Sequence, residues 1–318
     1  MLDLSIIIVN WNTHQLLSDC LGSIQATAED IQVEVIVIDN GSTDGSQAVI
    51  REHYPAIRLI ENTDNPGFAG ANNQGMAQAQ GRYFLLLNSD TLVKPGTLQQ
   101  ALQFMDHTPE AGMCGVKLLN PDGTFQASYA NFPTLKAEFL TATGLGPRLI
   151  SPYYPSPRPQ SSNQPHEVDW IAGAFMLLRR EVYEALGGMD TSYWMYSEET
   201  DWCYHIKRAG YKIYYLPEAA IIHIGGASTR QRRPQMRVQL VTSKLRFFAK
   251  NYGPHRTRQL RLLLWSVYLG REFASRLLML MASGARKAHW QSEIQNSRLV
   301  RAVCMQPLTP APQRGYAL

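Results

Sequence analysis

Four short, continuously apolar runs alternate with stretches of helical periodicity over the first 120 residues. The runs are Ser5 to Val9, Val33 to Ile38, Ile57 to Ile60 and Tyr83 to Leu87. The helical stretches run from Thr13 to about Ala28, from Ser46 to Tyr54 and from Gly67 to Gln80. A strand apolar on both sides cannot face water on either, so this pattern predicts a largely parallel sheet covered by helices on both faces. Sheets of this kind bind ligands beyond the carboxyl ends of their strands. The residues just after each run therefore carry the information: Asn10, Asp39 and Asn88 to Asp90.

Beyond Pro95 the pattern loosens. A helix to about Asp106 and a strand near Met113 to Leu118 precede a turn at Pro121-Asp122-Gly123. Six prolines between Pro147 and Pro165 predict a mobile loop or lid. Order is expected again at Val168 to Ile171 and in a strand from Phe175 to Leu178. A helix from about Glu199 to Ala209 should end at Gly210, a natural C′ residue. Two further apolar runs follow, Ile213 to Leu216 and Ala220 to Ile224.

Charge divides the chain. The net charge of +4 averages two opposed parts. From Arg230 onward there are 17 Lys+Arg against Glu272 and Glu293, whereas the preceding 229 residues hold 13 Lys+Arg and 24 Asp+Glu. An acidic body with a basic tail suggests two different partners. Cys20, Cys114, Cys203 and Cys304 have no C-x-x-C spacing, which excludes a zinc knuckle or a redox pair and suits reduced thiols in the cytosol. No basic n-region and apolar h-region open the chain, and no uninterrupted apolar stretch of about 18 residues occurs, so neither export by a signal peptide nor a simple membrane span is expected.

Four constellations carry chemistry. Asp39 ends the second run in Val37-Ile38-Asp39-Asn40-Gly41-Ser42-Thr43-Asp44, where an acid can accept from a ribose hydroxyl or a base N–H, or simply close an Asx turn. Asn88-Ser89-Asp90 is a second strand end, and its carboxylate suits a divalent cation bridging two phosphates, since Mg²⁺ and Mn²⁺ prefer oxygen ligands together with substrate phosphates. In Ser197-Glu198-Glu199-Thr200-Asp201 the serine suits an N-cap and the acids suit the helix dipole, but a desolvated glutamate would equally serve as a general base. His223, in Ile222-His223-Ile224-Gly225-Gly226, suits either a structural histidine or a metal ligand beside an aspartate. The two glycines there would let backbone approach a phosphate.

Taken together and in this order, these residues resemble the family 2 glycosyltransferases of the GT-A fold, specifically the bacterial rhamnosyltransferase-like branch. The resemblance covers about residues 3 to 229. It also rests on Ile8-Val9-Asn10-Trp11-Asn12, Asn65-Pro66-Gly67-Phe68-Ala69-Gly70-Ala71-Asn72-Asn73-Gln74-Gly75 and Trp170-Ile171-Ala172-Gly173-Ala174. It implies a nucleotide-sugar site lined by Val9, Asn10, Asp39, Asn73, Asn88, Ser89, Asp90, Trp170 and Gly173. It further implies Mg²⁺ or Mn²⁺ held by Asp90 and His223, with Glu199, or its neighbour Glu198, as the catalytic base. Two departures stand out: Asn88 replaces the first Asp of the Asp-x-Asp motif, and Glu199 replaces an Asp.

The implied reaction is an inverting transfer. The glutamate takes the acceptor's hydroxyl proton and the metal neutralises the departing diphosphate. Rhamnose from dTDP-rhamnose is the expected donor, with other nucleotide hexoses as the alternative. A non-catalytic nucleotide-sugar or polysaccharide binder of the same fold is the rival class. A glycosidase would need two opposed carboxyls and no metal, and a nucleotidyltransferase would need a Gly-rich, Lys/Arg-bearing loop where Asn10-Trp11-Asn12-Thr13 stands. Trp170, Trp194 and Tyr196 suit sugar stacking or core packing equally.

Residues 230–318 are expected to form a basic, largely helical extension to a catalytic domain of residues 1–229. On a helical wheel Leu262, Leu263, Val267, Leu269, Phe273, Leu277, Leu278, Leu280 and Met281 share one half, with Arg258, Arg261, Glu272 and Arg276 opposite. Such a helix suits peripheral contact with an anionic membrane on its cytoplasmic face, bringing the site to a lipid-linked glycan acceptor, or ordinary packing on the body. No nucleic-acid partner is expected, because no binding motif accompanies the charge.

Overall fold

The computed structural model describes residues 2–158, 163–225 and 233–308. The alternating N-terminal region forms β1 (Leu4–Asn10), α1 (His14–Thr27), β2 (Val33–Asp39), α2 (Ser46–His53), β3 (Arg58–Glu61), α3 (Gly67–Met76) and β4 (Tyr83–Asn88). A short β5 (Thr91–Val93), α4 (Thr97–His107), β6 (Ala111–Leu119), β7 (Phe125–Gln126) and β8 (Tyr129–Ala130) follow. Then come α5 (Leu135–Thr143), α6 (Leu145–Leu149), β9 (His166–Glu167), β10 (Trp170–Ile171), β11 (Phe175–Arg179), α7 (Arg180–Leu186), α8 (Glu198–Arg208) and β12 (Lys212–His223). The C-terminal part is α9 (Arg233–Asn251), α10 (Gly253–Leu280) and α11 (Gly284–Met305).

The main sheet runs β3-β2-β1-β4-β11-β6-β12-β5, with β7 beside β6 and β9 beside β12; β8 and β10 pair separately. β3, β2, β1 and β4 are mutually parallel, as the apolar runs require. β11 enters antiparallel between β4 and β6, and β5 pairs antiparallel with the end of β12. The sheet is thus mostly parallel but mixed. One face packs Ile6, Ile8, Leu85 and Leu87 against Leu17 and Leu21 of α1, Ile50 of α2 and Leu98 of α4. The other packs Ile7, Ile36, Ile38 and Leu86 against α3, α7 and α8. α3 can come this close because Gly75 has no side chain: a Cβ there would lie 2.5 Å from Ile7 and 2.8 Å from Ile38.

Three local expectations need correcting. The two apolar runs after Gly210 are one strand, β12, whose register with β6 shifts between Leu216 and Ala220, so Pro217, Glu218 and Ala219 bulge out of the ladder. The proline-rich segment is not wholly a free loop. It begins in α6, buries Ser151 and Ser156, and sets the Tyr153 ring edge-on to Phe125 at 5.1 Å; residues 159–162 lie outside the described residues. α3 stops at Met76 rather than Gln80, because the Gln80 N–H is taken by Glu34 Oε1 and Ser5 Oγ. Gly210, at φ +95°, ends α8 as expected.

Helices α9 to α11 build a third apolar cluster. Leu245, Phe247, Phe248, Leu260, Leu264 and Val300 pack with Ala142 of α5 and with Tyr193, which belongs to the body. The extension is therefore docked on the body. The expected wheel of α10 is inverted relative to a water-facing helix. Leu260, Leu264, Tyr268 and Glu272 are buried, whereas Leu262, Leu269, Phe273, Leu277, Leu278, Leu280 and Met281 are exposed, Phe273 by 64% and Leu280 by 80%. Leu263 and Val267 are half-buried in the helical cluster. On the inner side Glu272 gathers Arg276, Arg298 and Arg301 at 2.6, 3.0 and 2.8 Å. Among the described residues no helix is long and apolar enough to cross a membrane.

Candidate active site

Register places the strand-end residues side by side. Asn10 lies opposite Asp39 across β1 and β2, and Val9 lies opposite Asn88 across β1 and β4. Asp39 is fully buried. Its Oδ2 accepts from Asn10 Nδ2 at 2.8 Å, and its Oδ1 accepts from the Ser42 N–H at 2.8 Å and from Gln47 Nε2 at 2.7 Å. Of the two uses foreseen for this acid, the bond from the Ser42 N–H supplies the turn. Asn10 Oδ1 accepts from Thr13 Oγ1 at 2.6 Å, and Thr13 Oγ1 lies 2.9 Å from Ser89 Oγ. A hydrogen-bonded chain from Asp39 to Ser89 thus ties three strand ends together. Val9 is half-buried on the α3 side.

β12 delivers His223 to the same edge. Its antiparallel pairing with β5 sets His223 opposite Thr91, and the Ile224 N–H donates to the Asp90 carbonyl at 3.0 Å. His223 Nε2 consequently lies 3.3 Å from Asp90 Oδ1 and 3.4 Å from Asn88 Nδ2. Asn88, the departure from the Asp-x-Asp pattern, thus sits against the histidine. Among the described residues no group of three or more His, Cys, Asp or Glu side chains could hold a metal. Asp90 and His223 still present one carboxylate and one imidazole nitrogen to a shared point, a donor pair that fits a cation completing its shell with diphosphate and water oxygens. Gly225 follows at φ +73°; Gly226 lies outside the described residues.

The glutamate pair opens α8. Ser197 occupies the N-cap position but at φ +65°, after Tyr196 at φ +69°, and makes no side-chain cap bond. The expected side-chain cap is absent, and Ser197 is left-handed where a capping residue is ordinarily extended. Two successive non-glycine residues in this region cost on the order of 1–3 kcal/mol each, and such strain concentrates at functional sites. α9 holds the turn, since Ser243 Oγ donates to the Met195 carbonyl at 2.8 Å and Gln239 Nε2 at 3.3 Å. Glu198 and Glu199 each keep a buried Oε2 with no hydrogen-bond partner. Burial pushes the Glu199 carboxyl up to about 6, and burial together with the neighbouring Glu199 pushes Glu198 well above the usual carboxylate range.

The other sequence candidates are placed less simply. Asn73 does not present a free amide: its Nδ2 donates to the Met189 carbonyl at 2.8 Å and its Oδ1 accepts from the Met189 N–H at 2.9 Å. It clamps α3 to the segment leading into α8. Trp170 Nε1 donates to the Asn131 carbonyl, and Gly173 lies against the Phe68 ring, where a Cβ would come within 3.2 Å. Trp194 Nε1 donates to the Asn65 carbonyl, which leaves its ring packed beside Gly67. Gln126, Gln47 and Thr13 were not legible as site residues. Only the turn at 121–123 hinted that a strand returns beside β6 to carry Gln126.

Solved structures that share this fold are GT-A glycosyltransferases. A mannosyltransferase from Pyrobaculum calidifontis, solved with GDP-Man and Mn²⁺, superposes with a TM-score of 0.57 at 18% identity, over 94% of this chain and 85% of its own. GalNAc-T7, solved with UDP, GalNAc and Mn²⁺, gives 0.56 at 15% identity, over 78% and 48%. The chain belongs to glycosyl transferase family 2, whose family model matches residues 5–187, and it is a nucleotide-sugar-dependent glycosyltransferase. It is 29% identical over 239 residues to the N-acetylglucosaminyl-diphospho-decaprenol L-rhamnosyltransferase of Mycobacterium tuberculosis, covering 71% of this chain and 77% of that protein. It is 27% identical to the rhamnosyltransferase WbbL of Escherichia coli, over 62% of this chain and 74% of that protein.

Proposed function

We propose that this chain is an inverting, metal-dependent rhamnosyltransferase that moves rhamnose from dTDP-rhamnose to a hydroxyl of a lipid-linked glycan. The observation that carries the reading is the convergence of Asp90 and His223 at a sheet edge where Asn10, Asp39 and Ser89 are already tied together. The rhamnosyltransferase names of the relatives support the donor. Asp90 and His223 would hold Mg²⁺ or Mn²⁺, which when bound neutralises charge on the departing diphosphate. Val9, Asn10, Asp39, Ser89 and Gly173 would line the nucleotide-sugar, with Asn88 setting His223 and Asn73 fixing α3. Glu199 takes the acceptor hydroxyl's proton, the oxygen attacks the anomeric carbon opposite the diphosphate, and the carbon–oxygen bond breaks with its electron pair leaving on dTDP. Glu199 is the better base because its carboxyl is pushed up only to about 6, whereas burial and the neighbouring Glu199 push Glu198 well above the usual carboxylate range.

The same reading assigns residues 1–229 to catalysis and 230–318 to a cytoplasmic, peripheral membrane contact. A stripe of exposed leucines and Phe273 on α10, backed by a tail rich in Arg and Lys, suits an anionic leaflet that also holds the acceptor's lipid. Replacing Glu199 by Gln tests the core of the proposal. Transfer should fall by about 10²-fold or more, the scale of a general base, while dTDP still binds. Full turnover in Glu199→Gln would overturn the base assignment.

A further inference from the structure

Gln126 stands on β7, a two-residue strand that returns after the Asp122 turn to pair with the end of β6. Its side chain spans a network that none of the roles above uses. Nε2 donates to the His223 carbonyl at 3.1 Å and to Asn120 Oδ1 at 2.9 Å, and Oε1 lies 2.5 Å from His223 Nδ1. With the NH₂ committed to two oxygens, Oε1 is the end that faces the ring, and a carbonyl oxygen can only accept. Nδ1 must therefore carry the proton. Nε2 then turns its lone pair toward Asp90 Oδ1, 3.3 Å away, and takes only a long contact from Asn88 Nδ2. Two lone pairs aimed at each other across that gap repel unless a proton or a metal cation lies between them.

We propose that Gln126 is a positioning residue that holds His223 as the Nδ1–H tautomer and so keeps Nε2 available to ligate the cation shared with Asp90. The proposal rests on the metal-assisted reading of this site, and outer partners of this kind set ligand orientation at many metal sites. It gives β7 a purpose. A strand of two residues adds little to the sheet but brings one amide to the back of the histidine.

Histidine ¹⁵N NMR of the metal-free wild type reads the tautomer directly, with the His223 signals identified by their loss in His223→Ala. The expected result is a proton on Nδ1, with Nε2 bare once Mg²⁺ and dTDP are added. Gln126→Leu should scramble the tautomer and weaken Mn²⁺ binding in the presence of dTDP, read by electron paramagnetic resonance, by about 10–100-fold. Gln126→Glu should retain both properties, because a carboxylate also accepts from Nδ1–H. Both variants lose the two Nε2 donations, so a purely structural role would move them together. An Nδ1 without a proton in the wild type, an unchanged tautomer in Gln126→Leu, or equal losses in the two variants would overturn the proposal. If wild type shows the expected tautomer yet binds no Mn²⁺, the metal reading and the ligand half of this inference fall together, and the tautomer lock alone remains.

Discussion

At the residue scale the decisive contrast is between two kinds of acid. Asp39 is buried yet satisfied by Asn10, Ser42 and Gln47, whereas the buried Glu198 and the half-buried Glu199 each keep a buried oxygen left unpaired. Unpaired burial holds a proton. Because Glu199 releases its proton only near pH 6, transfer should rise with pH through about 6 and level off above it. The same lift has a stability consequence of opposite sign to the usual carboxylate. The folded chain binds this proton more tightly than the unfolded chain, so the group costs no stability below its ordinary value of 4.5 and costs it progressively as pH rises through 6. Glu199→Gln should therefore be more stable than wild type at pH 8, by on the order of 2 kcal/mol, with the difference vanishing near pH 4. Equal melting temperatures at pH 8 would show that Glu199 is not held in a desolvated site.

Elements explain how much of this was legible in the sequence. Strand ends were readable because continuously apolar runs terminate at polar residues, and Asn10, Asp39 and Asn88 do end β1, β2 and β4. Asp90 and His223 were legible as a pair only through the family resemblance; their local sequence shows a separate acid and a separate imidazole. Their meeting depends on the β12 bulge and on the β5 pairing, which are long-range facts. The left-handed turn at Tyr196 and Ser197 was hidden as well, because nothing local favours it: α9 imposes it from some 45 residues away through Ser243 and Gln239. Lys250 at the end of α9 adds to this. It lies 2.6 Å from Asp190 and 2.7 Å from Asp201, and Asn251 donates to Asp201 at 2.7 Å, which fixes the first turn of α8 behind Glu199. Lys250→Met leaves the buried Asp201 carboxylate short of its cation. It should cost about 2–3 kcal/mol in chemical unfolding, less than a wholly buried pair because Lys250 is partly exposed. Loss of transfer should accompany it at temperatures where the variant is still folded. Unchanged stability would mean that α9 rests on α8 without bracing it.

For the whole molecule, the charge division becomes a division of tasks. Several acids of the body stand at one sheet edge, and the basic tail folds back to pin the glutamate helix with α9 while exposing an apolar stripe on α10. Of the 17 Lys and Arg from Arg230 onward, Arg271, Arg276, Arg298 and Arg301 are collected inside the extension by Glu272 and Glu293. The outward stripe is what a water-soluble helix would avoid. Replacing Phe273, Leu277 and Leu280 together by Gln should leave the melting temperature within a few degrees, because all three face outward. Binding to vesicles of anionic lipid should fall by about tenfold or more, since each apolar side chain withdrawn from water contributes on the order of 1 kcal/mol. Undiminished sedimentation with those vesicles would remove the membrane from this account.

The most direct measurement of the central claim is a thermal-shift comparison of wild type and Asp90→Ala with dTDP-, UDP- and GDP-sugars, with and without Mn²⁺. A ligand that binds only the folded state raises its melting temperature. dTDP-rhamnose with Mn²⁺ should stabilise the wild type most, and Asp90→Ala should lose the Mn²⁺-dependent part. No response to any sugar nucleotide, or an equal Mn²⁺-dependent shift in Asp90→Ala, would contradict it.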